Sequence, residues 1–265
     1  MSSIQPLSRE RHAALRWRRY DSYGFTATTA VAPLAAAEVT KAALALPLAF
    51  FEREGGWTLA AVLGLTQGQN LFVGPTGDWI GAYTPAVFRA YPFRIGWSEA
   101  GEAVLCVDEA SGLVVEDTEG ETFFNEAGEP SAAVKQVWAF LQETAKGEAA
   151  LANACGTLHA AGVIEPWPVT VHGEAGTQRV TGLSRINETA LNALDDVAFG
   201  QLRWAGAVGL AYAQLLSMAN LADLGQLAEV WAEAEAVERA RAEVKPMVTF
   251  PGDSSIDWDW SKIGR

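Results

Sequence analysis

The sequence predicts an α+β protein, with an antiparallel, curved sheet in the N-terminal half and a helical C-terminal half packed on it. Three observations predict this. Residues 23–116 hold short extended runs rich in aromatic and β-branched residues, punctuated by Gly and Pro. Beyond Pro130 the apolar residues recur at helical spacing. The composition, 49% hydrophobic and 19% charged over 265 residues, is that of a globular chain with a sizeable core.

Taken in order, residues 1–22 read as a basic N-terminal arm, and 23–130 as a β-rich lobe. Tyr23–Val31 ("YGFTATTAV") predicts a strand, and Ala35–Leu44 a helix that Pro47 ends. "LAFFE" and "TLAAVLGL" predict a strand pair turning at Glu54-Gly55-Gly56. "AVLCVDEASGLVVE" predicts a hairpin, with strands near 103–108 and 112–116. Residues 131–244 read as a mainly helical lobe with one hairpin, forming one compact unit with 23–130. Ser131 opens a helix that Gly147 closes, and a second helix follows over 148–161. "EPWPVTVHGEAGTQRVTGLSRI" predicts a hairpin turning at Gly173–Gly176. Asn187 is a good N-cap for a helix to Phe199. Further helices follow near 201–217 and 223–244, and 245–265 reads as a tail.

Charge and cysteine usage exclude several classes. Net charge is −13, yet residues 1–20 carry Arg9, Arg11, Arg16, Arg18 and Arg19 against Glu10 alone. The body is therefore more acidic still, which repels phosphate backbones and disfavours nucleic acid as a partner. Residues 131–184 run helix, helix, hairpin, but the second helix has no basic residue with which to read DNA. Two cysteines, Cys106 and Cys155, make no disulfide framework and fit a reducing compartment. "RERHAALRWRRYDSYGF" is too polar for a signal peptide, and no apolar run reaches the roughly 18–20 residues that span a bilayer. The expectation is a soluble cytoplasmic protein without membrane insertion.

The segment Gly64–Phe93 is the most unusual. Asn70, Trp79, Tyr83, Arg89, Tyr91 and Phe93 stand among closely set glycines. Glycines let backbone approach a ligand, while amide, phenol and guanidinium groups supply directional contacts. Core plugging explains the same composition. "VLGLTQGQNLFVGPTGDWIGAYTPAVFRAYPF" resembles the central signature of the SapC family, and the likeness continues in "VLCVDE", "ETFFNEAGEPS" and "TGLSRINETALNAL". It spans roughly residues 25–220. Ala90 departs from the pattern, which has a second arginine beside Arg89. The family takes its name from a link with secretion of surface-layer proteins, so the resemblance implies an accessory role around surface proteins or peptides. It carries over no catalytic residue.

Other constellations are weaker. Cys155 and His159 lie four apart on a helix, but two ligands make no metal site. Cys106 stands beside Asp108 and Glu109, which oppose thiolate formation. There is no nucleotide loop, no serine elbow and no cofactor motif. Trp204–Met218 is apolar on most faces, a core helix or the seam of a homodimer. "DWDW" at 257–260 sets two tryptophans among acids in the tail.

These readings converge on a binding or adaptor protein that handles a peptide or surface protein associated with export. Arg89 would hold a carboxylate while the aromatic residues stack on the chain. The alternatives are an enzyme acting on a peptide or small metabolite, with Arg89 and Asp108 near its pocket, or a structural subunit of an obligate complex.

Overall fold

The computed structural model describes residues 4–53, 56–173 and 176–243. The chain divides into two units, Met1–Ala228 and Glu229–Arg265. The first opens with strand β1 (Ile4–Pro6), helix α1 (Arg9–His12) and β2 (Arg16–Trp17). A 3-10 turn at Gly24–Thr26 precedes β3 (Val31–Pro33), and a second at Ala36–Glu38 leads into α2 (Val39–Ala43). The hairpin β4 (Leu48–Arg53) and β5 (Gly56–Val62) follows, then α3 (Ala86–Arg89), β6 (Phe93–Trp97), β7 (Ala103–Asp108), β8 (Val114–Val115) and β9 (Glu121–Thr122). The second half contains α4 (Ala132–Ala160), β10 (Ile164–Pro166), β11 (Val169–Gly173), β12 (Gly176–Val180) and β13 (Ser184–Ile186). It continues with α5 (Glu188–Asn192), α6 (Asp196–Trp204) and α7 (Ala207–Ser217). Helix α8 (Asn220–Glu243) runs on into the second unit, where Val230 and Val237 are exposed.

The α+β expectation holds: antiparallel sheets occupy the N-terminal half and helices the C-terminal half. The strands form several small sheets. The largest has the order β10-β13-β4-β5-β3, so two strands of the second half complete it. Leu48–Phe50 and Leu59–Val62 are buried without alternation, as a strand covered on both faces requires. The order β1-β7-β6 makes a second sheet and β8-β2-β9 a third. Trp17, Phe93, Val107, Phe123 and Val134 pack between these two sheets and the first turns of α4.

The basic segment, expected as a peripheral arm, is woven in from Ile4 onward. Ile4–Pro6 pairs with β7, and Arg16 and Trp17 bridge β8 and β9. His12 and Trp17 are buried, while Arg11, Arg18 and Arg19 pair with Glu109, Asp117, Glu119 and Glu121. The strand expected at 23–31 is a 3-10 turn, because Tyr23 and Phe25 turn their rings onto Tyr20 and Tyr91 instead of alternating. Strands 103–108 and 114–115 are not a hairpin: β7 pairs with β1 and β6, and β8 with β2.

Gly147 does not end a helix. A single helix runs from Ala132 to Ala160, and a Cβ at Gly147 would sit 2.9 Å from Ala35 Cβ. The glycine therefore lets the 3-10 turn approach the helix backbone. Asn187 caps α5 as expected, accepting from the Ala190 N–H, but the helices expected at 187–199 and 201–217 are three, broken before Asp195 and at Gly206. The hairpins β4-β5 and β11-β12 form where expected, their tips at 54–55 and 174–175 lying outside the described residues. The tail, with its two tryptophans, also lies outside them.

Buried polar side chains fasten helices to sheet. Gln214 of α7 accepts from the Ile186 N–H at 2.9 Å and donates to the Leu48 carbonyl at 3.1 Å, so it fills the gap where β13 and β4 part. Ser217 accepts from the Leu48 N–H at 3.1 Å. Gln214→Leu would leave both backbone groups without partners, so chemical denaturation should show a loss of about 2–4 kcal/mol. A loss within experimental error would mean that water replaces the amide.

Candidate binding site

The glycine-dense loop is built around its own aromatic rings. A Cβ at Gly81 would lie 2.9 Å from both the Phe72 ring and Trp79 Nε1. Trp79 stacks on Phe72 with centroids 5.6 Å apart, meets Tyr23 and Phe88, and donates to the Tyr83 carbonyl at 3.0 Å. Asn70 is buried beneath them. Its amide donates to the Thr26 carbonyl at 3.1 Å and its Oδ1 accepts from the Phe72 N–H at 3.0 Å.

The loop is anchored on Glu38, whose side chain is buried. Oε1 accepts from the Ala35 N–H, and Oε2 accepts from both the Tyr83 hydroxyl and the Ala86 N–H, each at 2.8 Å. Three donors thus replace the water that a buried carboxylate has lost. Burial, then the hydrogen bond to Glu38 and its charge, push the Tyr83 phenol up to about 12, with Arg89 opposing. The same bonds fix the residues that flank Thr84. Arg89 Nε and Nη2 lie 3.3 and 2.8 Å from the Thr84 carbonyl oxygen, and Cζ lies 5.2 Å from the Tyr83 ring centroid. Arg89 is exposed and, among the described residues, makes no ion pair with a carboxylate.

Two clefts of about 510 Å³ each meet at Arg89. The first lies between Trp17, Phe93, Val137 and Phe140, with Arg19, Tyr20, Tyr91 and Gln136 also lining it. Tyr91 stacks on Phe25 with centroids 3.9 Å apart. Burial and Tyr23 push the Tyr20 phenol up to about 12. The Trp17 indole N–H is buried at this wall and finds no hydrogen-bond partner among the described residues. The second cleft lies between the 3-10 turn at Ala36–Glu38 and α4, and includes Lys41, Tyr83, Glu143, Thr144 and Lys146. Arg89 and Phe140 line both clefts.

Of the six residues singled out in the sequence, Tyr83, Arg89, Tyr91 and Phe93 line these clefts, whereas Asn70 and Trp79 line neither. Sequence reasoning missed Trp17, Arg19 and Tyr20, which stand in the basic segment, and the α4 residues Gln136, Val137, Phe140 and Thr144. The available signal was the alternation of aromatics with arginines in "RWRRYDSYGF". Asp108, weighed as a catalytic partner of Arg89, lines neither cleft, and it accepts from the Ala110 N–H as a cap at the strand end. Burial raises both thiols, Cys155 to about 12, and His159 stacks on Trp57 at 5.0 Å. Among the described residues no group of three His, Cys, Asp or Glu can hold a metal ion, and no helix is long and apolar enough to cross a membrane.

Residues 7–224 match the model of the SapC family. The chain belongs to the SapC family. The match begins within the basic segment, so β2 with Trp17 and the first cleft falls inside the SapC region. Comparison with curated proteins and with solved structures found no match. Ala90, where the family resemblance implies a second arginine, is buried against the first cleft. Arg19 supplies a second cation there, but it pairs with Glu121 at 3.1 Å.

The raised Tyr83 pKa has a stability consequence. The phenol ionises near 10.0 when unfolded and near 12 when folded, so its contribution is complete below pH 10 and is lost as pH rises towards 12. Denaturation series across that window should show a smaller decline for Tyr83→Phe than for the wild type. Equal declines would show that the Glu38–Tyr83 bond does not hold the phenol neutral.

Proposed function

We propose that this SapC-family protein is a cytoplasmic binding or adaptor protein that holds a peptide or a segment of a surface protein associated with export. The observation that carries the reading is the guanidinium of Arg89. It is oriented by the Thr84 carbonyl and the Tyr83 ring, it has no carboxylate of its own among the described residues, and it stands where two aromatic-lined clefts meet. An arginine so held offers its remaining N–H groups to a ligand carboxylate, and tyrosine and phenylalanine walls supply apolar contact beside it. The enzyme reading draws less support, because Asp108 caps the turn after β7 and lines neither cleft.

A structural role through the Trp204–Met218 segment, which Gly206 divides between α6 and α7, has one observation in its favour: Trp204 is 91% and Leu216 72% exposed. Sedimentation that is independent of protein concentration would dismiss a homodimer seam there.

The reading is tested by affinity capture from native lysate, with peptides and proteins identified by mass spectrometry, comparing wild type with Arg89→Ala. Arg89 is exposed, so the substitution gives up only its bonds to the Thr84 carbonyl and its contact with the Tyr83 ring, a loss of about 1 kcal/mol that leaves the protein folded. The expected result is a peptide-bearing partner captured by the wild type and lost with the folded variant. A partner retained equally by both would contradict a role for Arg89.

A further inference from the structure

Sharing Arg89 and Phe140, the two clefts follow one face of α4 and together outline a groove. The helix presents Ala133, Val137, Phe140, Thr144, Gly147 and Ala150 to them, a stripe three or four residues apart on one face. At 1.5 Å per residue, Ala133 to Ala150 spans about 25 Å. That is the length of about eight residues of extended chain. Since Arg89 and Phe140 line both clefts, the floor is shared at its midpoint. A compact metabolite would occupy one cleft, whereas a chain running along the helix fills both.

The two halves differ in chemistry. The Trp17 half is walled by Trp17, Phe93 and Val137, with an apolar character a bulky side chain can use. The other half carries Lys41, which makes no ion pair among the described residues, and Lys146, 3.7 Å from Glu143. Glu143 of this half is paired with Lys146 and Glu38 is buried under its three donors, which leaves Arg89 at the centre and Lys41 beyond it as the cations without a carboxylate partner among the described residues, on a chain whose net charge is −13. An acidic segment is therefore favoured in this groove and opposed by most of the remaining surface.

We propose that the groove binds an extended segment of about eight residues lying along α4. A bulky apolar side chain enters the Trp17 cleft, a side-chain carboxylate meets Arg89, and a second acid lies towards Lys41. This rests on the peptide-binding reading above and adds length, direction and charge to it.

The test is a nine-residue peptide library with both ends blocked, so that any carboxylate comes from a side chain. Enriched peptides, and their two halves made separately, are then measured by fluorescence anisotropy. Expected are peptides with a bulky apolar residue on one side of an acid and a second acid on the other. Each half should bind at least about tenfold more weakly than the whole, a difference of about 1.4 kcal/mol. Gln136→Trp, which narrows the first cleft, and Lys41→Glu, which reverses the second, should each weaken the whole peptide by a similar factor. Both positions are exposed, and the circular dichroism of each variant checks that it is folded. If a half binds as tightly as the whole, or only one of the two variants matters, the extended segment is wrong while the peptide-binding reading stands. If no library member binds, both fall.

Discussion

A single buried carboxylate holds the binding region together. Glu38 sits in a 3-10 turn, yet its oxygens are filled by a backbone N–H of that turn, a hydroxyl of the glycine-dense loop and a backbone N–H at the start of α3. Burying a charge without a cation costs several kcal/mol unless donors surround it, so this arrangement tolerates little displacement of any donor. Tyr83 and Ala86 are thereby fixed on either side of Thr84, and the Thr84 carbonyl orients Arg89. The one cation shared by both clefts is thus positioned through a short chain of hydrogen bonds that begins at a buried acid. Dismantling that chain would free the guanidinium rather than unfold the sheets.

The long helix α4 joins this region to the rest of the fold. Its first turns close the core around Trp17, Phe93 and Phe123, and its last turns bury Leu151, Ala154, Cys155 and Leu158. Along the same length it floors the groove. Gly147 matters because the 3-10 turn bearing Glu38 can approach only a helix without a side chain at that position. Core, groove and anchor are therefore coupled through one element, and the SapC-family match covers all of it.

Much of this was legible in the residues. The α+β class, the two tight hairpins, the Asn187 cap and the family signature follow from local pattern and turn chemistry, which depend on neighbours in the chain. The rest depended on distant partners. Arg11, Arg18 and Arg19 find their acids about a hundred positions away, so a segment of isolated charges read as an arm. Glu38 looks like any helical acid until residues 45 and 48 positions later close on it. Gly147 looks like a helix stop because its contact with Ala35 is tertiary. Within the candidate site, Arg89 and Tyr83 stood out by residue type, whereas Phe140 and Thr144 were indistinguishable from any half-buried helical face.

A ligand lying along α4 and crossing Arg89 would touch both clefts at once. The most direct measurement is a map of backbone amide chemical shifts, recorded as a blocked nine-residue peptide with tryptophan, aspartate and glutamate in that order is titrated in. Shifts are expected along one face of α4 from Ala133 to Ala150, together with Thr84–Tyr91 and Trp17–Tyr20. Shifts confined to α6 and α7 around the exposed Trp204 and Leu216, or restricted to one cleft, would contradict that placement.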